Sequence, residues 1–142
     1  MVNKHKLVDY ILLALFTISF LSSLGLSLDV SSKFCLTSTC DIVSSSSYSS
    51  TLGIKNSYWG IAVFALLSIL TLWHILEPHH HKNKLIRTGV VIGSIISMYF
   101  IFLQVFIIRA FCSYCLIVDI SMILALILLF LEWRYGHGWK GS

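Results

Sequence analysis

Four long apolar segments dominate the pattern of hydrophobic and polar positions: 7–28, 58–76, 88–108 and 113–131. Each is about as long as the roughly 20 residues that a helix needs to cross the apolar part of a bilayer. None alternates apolar and polar residues as barrel strands do, and backbone polar groups in lipid must be hydrogen-bonded within their own segment. The pattern therefore predicts an all-α integral membrane protein, a bundle of four transmembrane helices forming a single domain over residues 1–142.

Composition supports the membrane interpretation. The chain is 57% hydrophobic and only 11% charged, whereas soluble domains carry about 25% charged residues. A net charge of +4 would suggest nucleic acid as a partner of a soluble chain. Here the basic residues lie in short loops and tails, so we expect membrane lipid around the chain and no nucleic acid partner.

The distribution of basic residues predicts the orientation in the membrane. An even number of spans places both termini on one side, together with the loop between the second and third segments. That side carries seven basic residues, Lys4, Lys6, Lys82, Lys84, Arg87, Arg134 and Lys140, and the other side carries three, Lys33, Lys55 and Arg109. Positive charge is retained in the cytoplasm, which predicts a multi-pass cell-membrane protein with both termini cytoplasmic. All four cysteines then lie on the extracytoplasmic face, where disulfides form and persist.

The only long loop, residues 29–57, joins the first two segments and contains Cys35 and Cys40. Asp41 is a suitable cap for a helix that would begin directly after it. Gly53 is a suitable residue to end that helix. The pattern predicts a short interfacial helix within this extracytoplasmic loop.

The third apolar segment carries three small residues four positions apart, Gly89, Gly93 and Ser97. Small residues at this spacing let membrane helices approach closely. We interpret the stripe as a contact between helices of the bundle.

Cys112 and Cys115 stand at the start of the fourth segment. A spacing of three places both sulfurs on one face of a helix. The positive end of the helix dipole, with Arg109 upstream, stabilises a thiolate there and lowers the thiol pKa, as thiol–disulfide exchange requires. A structural pair or half of a metal site is the alternative.

The second pair, Cys35 and Cys40, favours a redox relay, since a loop pair can collect electrons from a soluble protein and an anchored pair can pass them into the membrane. Two alternatives remain open. A zinc site of four cysteines is one, although the wider spacing of the loop pair fits zinc motifs poorly. The other is a non-enzymatic four-span membrane scaffold with two structural disulfides.

Two polar residues inside the apolar segments are further candidates. Asp119 lies one turn beyond Cys115 on the same helix face, and an intramembrane carboxylate is a functional candidate by default. It could polarise a bound carbonyl, or simply hydrogen-bond a neighbouring helix. Gln104 in the third segment is interpreted mainly as a contact between helices.

Residues 40–60, CDIVSSSSYSSTLGIKNSYWG, followed by FCSYC at residues 111–115, resemble the vitamin K epoxide reductase family in its bacterial and archaeal form. The resemblance implies a four-helix bundle around a quinone and a quinone-dependent thiol oxidoreductase that generates disulfides. By this resemblance Cys115 faces the quinone, Cys112 exchanges with Cys40, and Cys35 receives electrons from a thioredoxin-like protein. Some bacterial members carry a fused thioredoxin domain; we expect no fused thioredoxin domain here, so the partner would be a separate protein.

The same resemblance implies a quinone pocket near Ser46, Asn56 and Cys115, with no metal. Asp119 is a candidate for the same pocket from its place within the apolar segment. The quinone would be of the menaquinone, ubiquinone or vitamin K type. Some family members carry tyrosine four residues after the last cysteine, where this chain has Asp119. The related disulfide-bond formation protein B family places its C-x-x-C pair in the first loop, the reverse of the order here.

Overall fold

The computed structural model describes residues 4–28 and 45–135. It contains four long helices, which we label α1 (Lys4–Ser27), α2 (Asn56–Leu76), α3 (His80–Phe102) and α4 (Ser113–Tyr135). The loop cysteines Cys35 and Cys40 and the predicted cap Asp41 lie outside the described residues.

All four helices are long and apolar enough to cross a membrane. Large apolar side chains cover their outer surfaces: Leu66 is 59% exposed, Ile95 65% and Phe106 65%. Such an outer surface is unfavourable in water and suits the hydrocarbon of a bilayer. The described part of the chain is thus nearly all helical, with the four predicted segments as its helices.

The helices pack as a closed four-membered bundle, in which α1 contacts α2 and α4, and α3 contacts α2 and α4. Each helix supplies side chains to one apolar core, made of Leu12, Phe16, Phe64, Leu67, Ile86, Val90, Met122, Ala125 and Leu129. We call these nine residues the apolar core. The rings of Phe16 and Phe64 meet there at a centroid distance of 6.5 Å.

The third helix begins at His80, ahead of the apolar segment that starts at residue 88. The polar residues before that segment are helical, and only Glu77, Pro78 and His79 separate α2 from α3. Lys82 stabilises this tight connection, since its Nζ lies 3.6 Å from the Glu77 carboxylate and 4.1 Å from the centre of the Trp73 ring. Hydropathy cannot detect such a polar first turn.

The small-residue stripe of α3 lies at helix contacts, as predicted. A Cβ atom added at Gly89 would lie 3.0 Å from Leu67 Cδ2 of α2, and one added at Gly93 would overlap the Met122 side chain of α4. Ser97 is 5% exposed. The absent side chains let α3 approach both neighbours closely.

In the described end of the long loop, Ser45 is helical and the residues from 47 to 55 are not α-helical. A single 3-10 turn, Ser47–Ser49, leads into a hairpin of strands β1 (Ser50–Thr51) and β2 (Ile54–Lys55). The strands are antiparallel, and Thr51 is paired with Ile54. Gly53, expected at the end of an interfacial helix, lies instead in the hairpin turn with a φ of 81°. The residues where that helix would begin are outside the described part of the chain.

Candidate active site

The backbone departs from regular α-helix just before the Cys112–Cys115 pair. Beyond Phe102, α3 continues as a π-helical segment, Leu103–Ile108, and Arg109 follows in the left-handed conformation with a φ of 53°. The chain then reverses, and α4 begins at Ser113. A π-helical turn is rare and is found often at functional sites. Here it immediately precedes the cysteines and buries Gln104.

The two sulfurs of the pair lie 2.7 Å apart, with the Cys115 thiol donating to Cys112 Sγ. Both cysteines are free thiols. A disulfide bond measures about 2.05 Å, so the sulfurs need to approach by less than about 1 Å to bond. The pair is therefore positioned to open and close as a disulfide with little change elsewhere.

Cys112 occupies the capping position of α4. Its carbonyl oxygen accepts the backbone N–H of Leu116 at 2.9 Å, and its Sγ accepts the backbone N–H of Cys115 at 3.4 Å. A capping side chain satisfies a backbone donor that the first turn of a helix leaves without a partner. The sulfur of Cys112 thus faces the positive end of α4.

These donors favour the thiolate form of Cys112. The hydrogen bond from the Cys115 thiol, with smaller contributions from the backbone N–H groups of Cys115 and Tyr114, lowers the pKa of Cys112 from 9.0 to about 7, although burial acts in the opposite direction. Cys112 is fully buried, whereas Cys115 keeps part of its surface accessible. The sequence predicts a stabilised thiolate in this pair, and the structure assigns it to Cys112.

Gln104 links the pair to the interior of the bundle. Its Oε1 accepts the backbone N–H of Cys112 at 3.2 Å, and its Nε2 donates to Asp119 Oδ2 at 3.4 Å. Since one partner is a donor and the other an acceptor, the orientation of the amide is fixed. The sequence shows an intramembrane polar residue here but gives no sign of this connection, which depends on the π-helical segment.

Asp119 is the other buried polar group of the site. It is 4% exposed and also accepts a hydrogen bond from Ser97 of α3. The structure therefore brings Asp119, Gln104 and Cys112 into one network, and it gives Asp119 the hydrogen bonds to a neighbouring helix that were one interpretation of its position. Contact between Asp119 and a quinone stays a prediction.

Ser46 and Asn56 lie on either side of the segment that contains the 3-10 turn and the hairpin. Asn56 Nδ2 donates to the Tyr48 carbonyl at 2.9 Å, and Asn56 Oδ1 accepts from Thr51 Oγ1 at 2.7 Å. Ser46 is half-buried and precedes the 3-10 turn. Both ends of the Asn56 amide are thus occupied by the loop, and a role of either residue in a quinone pocket stays a prediction.

Within residues 4–28 and 45–135, no three His, Cys, Asp or Glu side chains converge to form a candidate metal site. Cys35 and Cys40, two of the four ligands of the zinc alternative, lie outside the described residues. Their exchange with Cys112 also stays a prediction.

The sequence profile of the Vitamin K epoxide reductase family matches residues 9–130, most of the chain. The chain belongs to the vitamin K epoxide reductase family. The matched region contains all four cysteines as well as Gln104 and Asp119, and membership implies an oxidoreductase in general terms. A comparison with curated proteins gives no match.

Proposed function

We propose that this member of the vitamin K epoxide reductase family is a thiol oxidoreductase that generates disulfides and passes the electrons to a membrane quinone. The observation that carries the proposal is the geometry of the pair. Two free sulfurs lie 2.7 Å apart at the start of a membrane-spanning helix, and the pKa of Cys112 is lowered to about 7. Such a pair is suited to thiol–disulfide exchange at neutral pH.

The proposed relay has balanced steps. A reduced thioredoxin-like partner reduces the Cys35–Cys40 disulfide, and the Cys40 thiolate then attacks Sγ of Cys112 in the Cys112–Cys115 disulfide. A Cys40–Cys112 bond forms as the bond to Cys115 breaks, and Cys115 departs with the electron pair. Cys35 next attacks Cys40, and Cys112 leaves as a thiolate, for which its lowered pKa is favourable.

The residues around Cys115 fit a quinone. Cys115 is partly accessible and packs, as do Leu26, Ile108 and Tyr114, against the buried Ala110 and Cys112, so it lies in an apolar setting at this end of the bundle. A bound quinone supplies a two-electron, two-proton acceptor, so the net change is dithiol plus quinone to disulfide plus quinol. The chain itself supplies the position of the sulfur and exclusion of water. The type of quinone is not distinguished by these side chains.

The thiol partner is proposed to be a separate thioredoxin-like protein on the extracytoplasmic side. The excess of basic residues on the side of the two termini supports this orientation, since it places the cysteines opposite the cytoplasm. Modification of single cysteines from either side of sealed vesicles would measure the orientation independently of activity.

The decisive experiment follows quinone reduction by the purified protein with a reduced thioredoxin-like donor, using the wild type and the four single Cys→Ala variants. Replacement of Cys112 or Cys115 should abolish turnover with any donor. Replacement of Cys35 should block the protein donor but leave turnover with a small dithiol. Ser113→Ala, which changes the residue directly after Cys112, serves as a control and should retain activity.

Two outcomes would contradict the proposal. Full quinone turnover by Cys115→Ala would show that the electrons do not pass through this pair. Disulfides that resist reduction and do not respond to added quinone in thiol trapping would instead indicate the structural scaffold.

A further inference from the structure

The relay just described leaves two buried polar side chains without a function. Asp119 and Gln104 are 4% and 3% exposed. Removing a carboxylate and an amide from water costs free energy even when both are hydrogen-bonded. Apolar residues of similar size would pack here without that cost.

These side chains form a directed chain of hydrogen bonds that ends at the redox pair. Asp119 Oδ2 accepts from Gln104 Nε2, and Gln104 Oε1 accepts from the backbone N–H of Cys112. Ser97 holds the same carboxylate from α3. Two hydrogen bonds through one amide therefore separate the carboxylate from the residue that carries the stabilised thiolate, in an environment where charges are weakly screened.

We propose that Asp119, held by Gln104 and Ser97, shifts the balance of the Cys112–Cys115 pair toward the disulfide and so makes the dithiol a stronger electron donor. This inference deepens the proposed function and rests on the pair being redox-active. Asp119 acts through the pair without reacting itself, and Gln104 is the positioning residue that joins the two.

The direction follows from charge. The reduced pair carries a thiolate at Cys112, whereas the disulfide is neutral. While Asp119 is ionised, its carboxylate repels the thiolate and leaves the disulfide unaffected, so it disfavours the reduced state. A reduced pair that is less stable relative to its disulfide gives up its two electrons, and the one proton on Cys115, more readily.

The test measures that balance directly, without quinone or protein partner. A background with Cys35→Ser and Cys40→Ser is equilibrated in lipid nanodiscs, at fixed pH, with mixtures of reduced and oxidised glutathione. The reaction is dithiol plus glutathione disulfide to protein disulfide plus two glutathione. Trapping with a maleimide then gives the reduced fraction of Cys112–Cys115 at each ratio.

Asp119→Asn keeps the shape and removes the charge, and should shift the equilibrium constant roughly tenfold toward the dithiol. Gln104→Leu removes the donor that holds the carboxylate, and should shift it in the same direction. The double variant should shift the equilibrium constant no further than the larger single change, because both substitutions act through the same series of hydrogen bonds. Ser121→Ala replaces another buried polar residue of α4 that takes no part in these hydrogen bonds, and should change the equilibrium constant by less than twofold.

An unchanged constant or a shift toward the disulfide in Asp119→Asn would overturn the inference, as would additive effects in the double variant. If Asp119→Asn fails to fold, the shift measured for Gln104→Leu still tests the inference. Failure of the proposed function is distinguishable. Loss of the shift with quinone turnover intact rejects this inference alone, whereas the shift without any quinone turnover rejects only the quinone as acceptor.

Discussion

The apolar core and the buried part of the candidate active site, Cys112, Gln104 and Asp119, are built in different ways. The apolar core joins regular α-helix to regular α-helix, and residues such as Phe16, Val90 and Ala125 fill space without any polar atom in their side chains. The active site lies at a π-helical segment and a left-handed residue, and it buries Gln104 and Asp119. One region is specified by volume, and the other by hydrogen-bond direction.

This difference in construction shows which part of the fold is less stable than a regular apolar bundle would be. An irregular backbone and buried polar groups are each unfavourable, and both concentrate around Cys112. A bundle selected for stability alone would continue α3 as regular helix and fill the site with apolar side chains. The departures from that pattern therefore indicate the functional end of the molecule.

The largest expected effect is a loss of catalysis without a loss of stability, and it distinguishes the candidate active site from the apolar core. Cys112→Ser should reduce dithiol-dependent quinone reduction by at least about a thousandfold, because the thiolate is lost, while the folded state is retained. Phe16→Leu in the apolar core should do the reverse, lowering stability by about 1 kcal/mol and leaving turnover per folded molecule unchanged. Quinone reduction and thermal unfolding in nanodiscs measure the two quantities.

The contrast between the two regions would be wrong if either variant changed both turnover per folded molecule and thermal stability. If turnover by Phe16→Leu falls only in proportion to the amount of folded protein, the result agrees with the contrast. A tenfold loss per folded molecule would mean that the apolar core and the pair are coupled.

A second test asks whether direction of hydrogen bonding controls the active site. In the background lacking Cys35 and Cys40, Cys115→Ala should raise the pKa of Cys112 from about 7 toward 9, since the largest stabilising hydrogen bond comes from the Cys115 thiol. At pH 7 the fraction of Cys112 present as thiolate, which rises as pH rises through the pKa, would fall by up to about fiftyfold. Thiolate absorbance against pH measures the change.

Cys115→Ser is the matched control, because its hydroxyl can still donate to the Cys112 sulfur. Its pKa at Cys112 should stay between the two extremes. Equal values for the alanine and serine variants would show that volume, and not the donor, sets the acidity.

Most of the fold could be predicted from the sequence, because hydropathy records which segments are apolar over the thickness of a bilayer. The four helices and the close approach at Gly93 both follow from that pattern and from residue size. The start of α3 at His80 does not, since the first turn of that helix is polar and is held by contacts of Lys82 with Glu77 and Trp73.

The residues of the candidate active site could be proposed from the sequence, but the hydrogen bonds that connect them could not. Cys112 and Cys115 are identified by spacing at a helix start, and Asp119 by its charge within an apolar segment. The bridge through Gln104 depends on a π-helical segment that no local sequence signal reports. The hairpin was missed for a similar reason, because its turn places a leucine at a positive φ, against the preference of that residue.

A third test addresses volume at the apolar core. Gly93→Ala should destabilise the protein by about 1–2 kcal/mol, since the added methyl overlaps Met122 and the flexible Met122 side chain can only partly move away. Gly25→Ala is the control: its added methyl would lie 3.6 Å from Tyr114, an ordinary contact, so α1 should be unaffected or slightly stabilised. Thermal unfolding of both variants decides, and equal stabilities would show that close approach at Gly93 is not required.

The smallest expected effect distinguishes backbone strain at the active site from strain in the loop. Leu52 is 88% exposed and has a φ of 58°, so its strain serves no packing. Leu52→Asn gives the Asn-Gly turn that two-residue hairpins favour, and should stabilise the hairpin by about 1 kcal/mol, which slows amide exchange in β1 and β2 by roughly fivefold. Ser50→Asn, on a strand, should not slow it. Quinone turnover should be unchanged in both variants. A loss of turnover in Leu52→Asn would instead mean that the strained turn contributes to the chemistry. We expect such a contribution only from the left-handed backbone at Arg109, next to the cysteine pair.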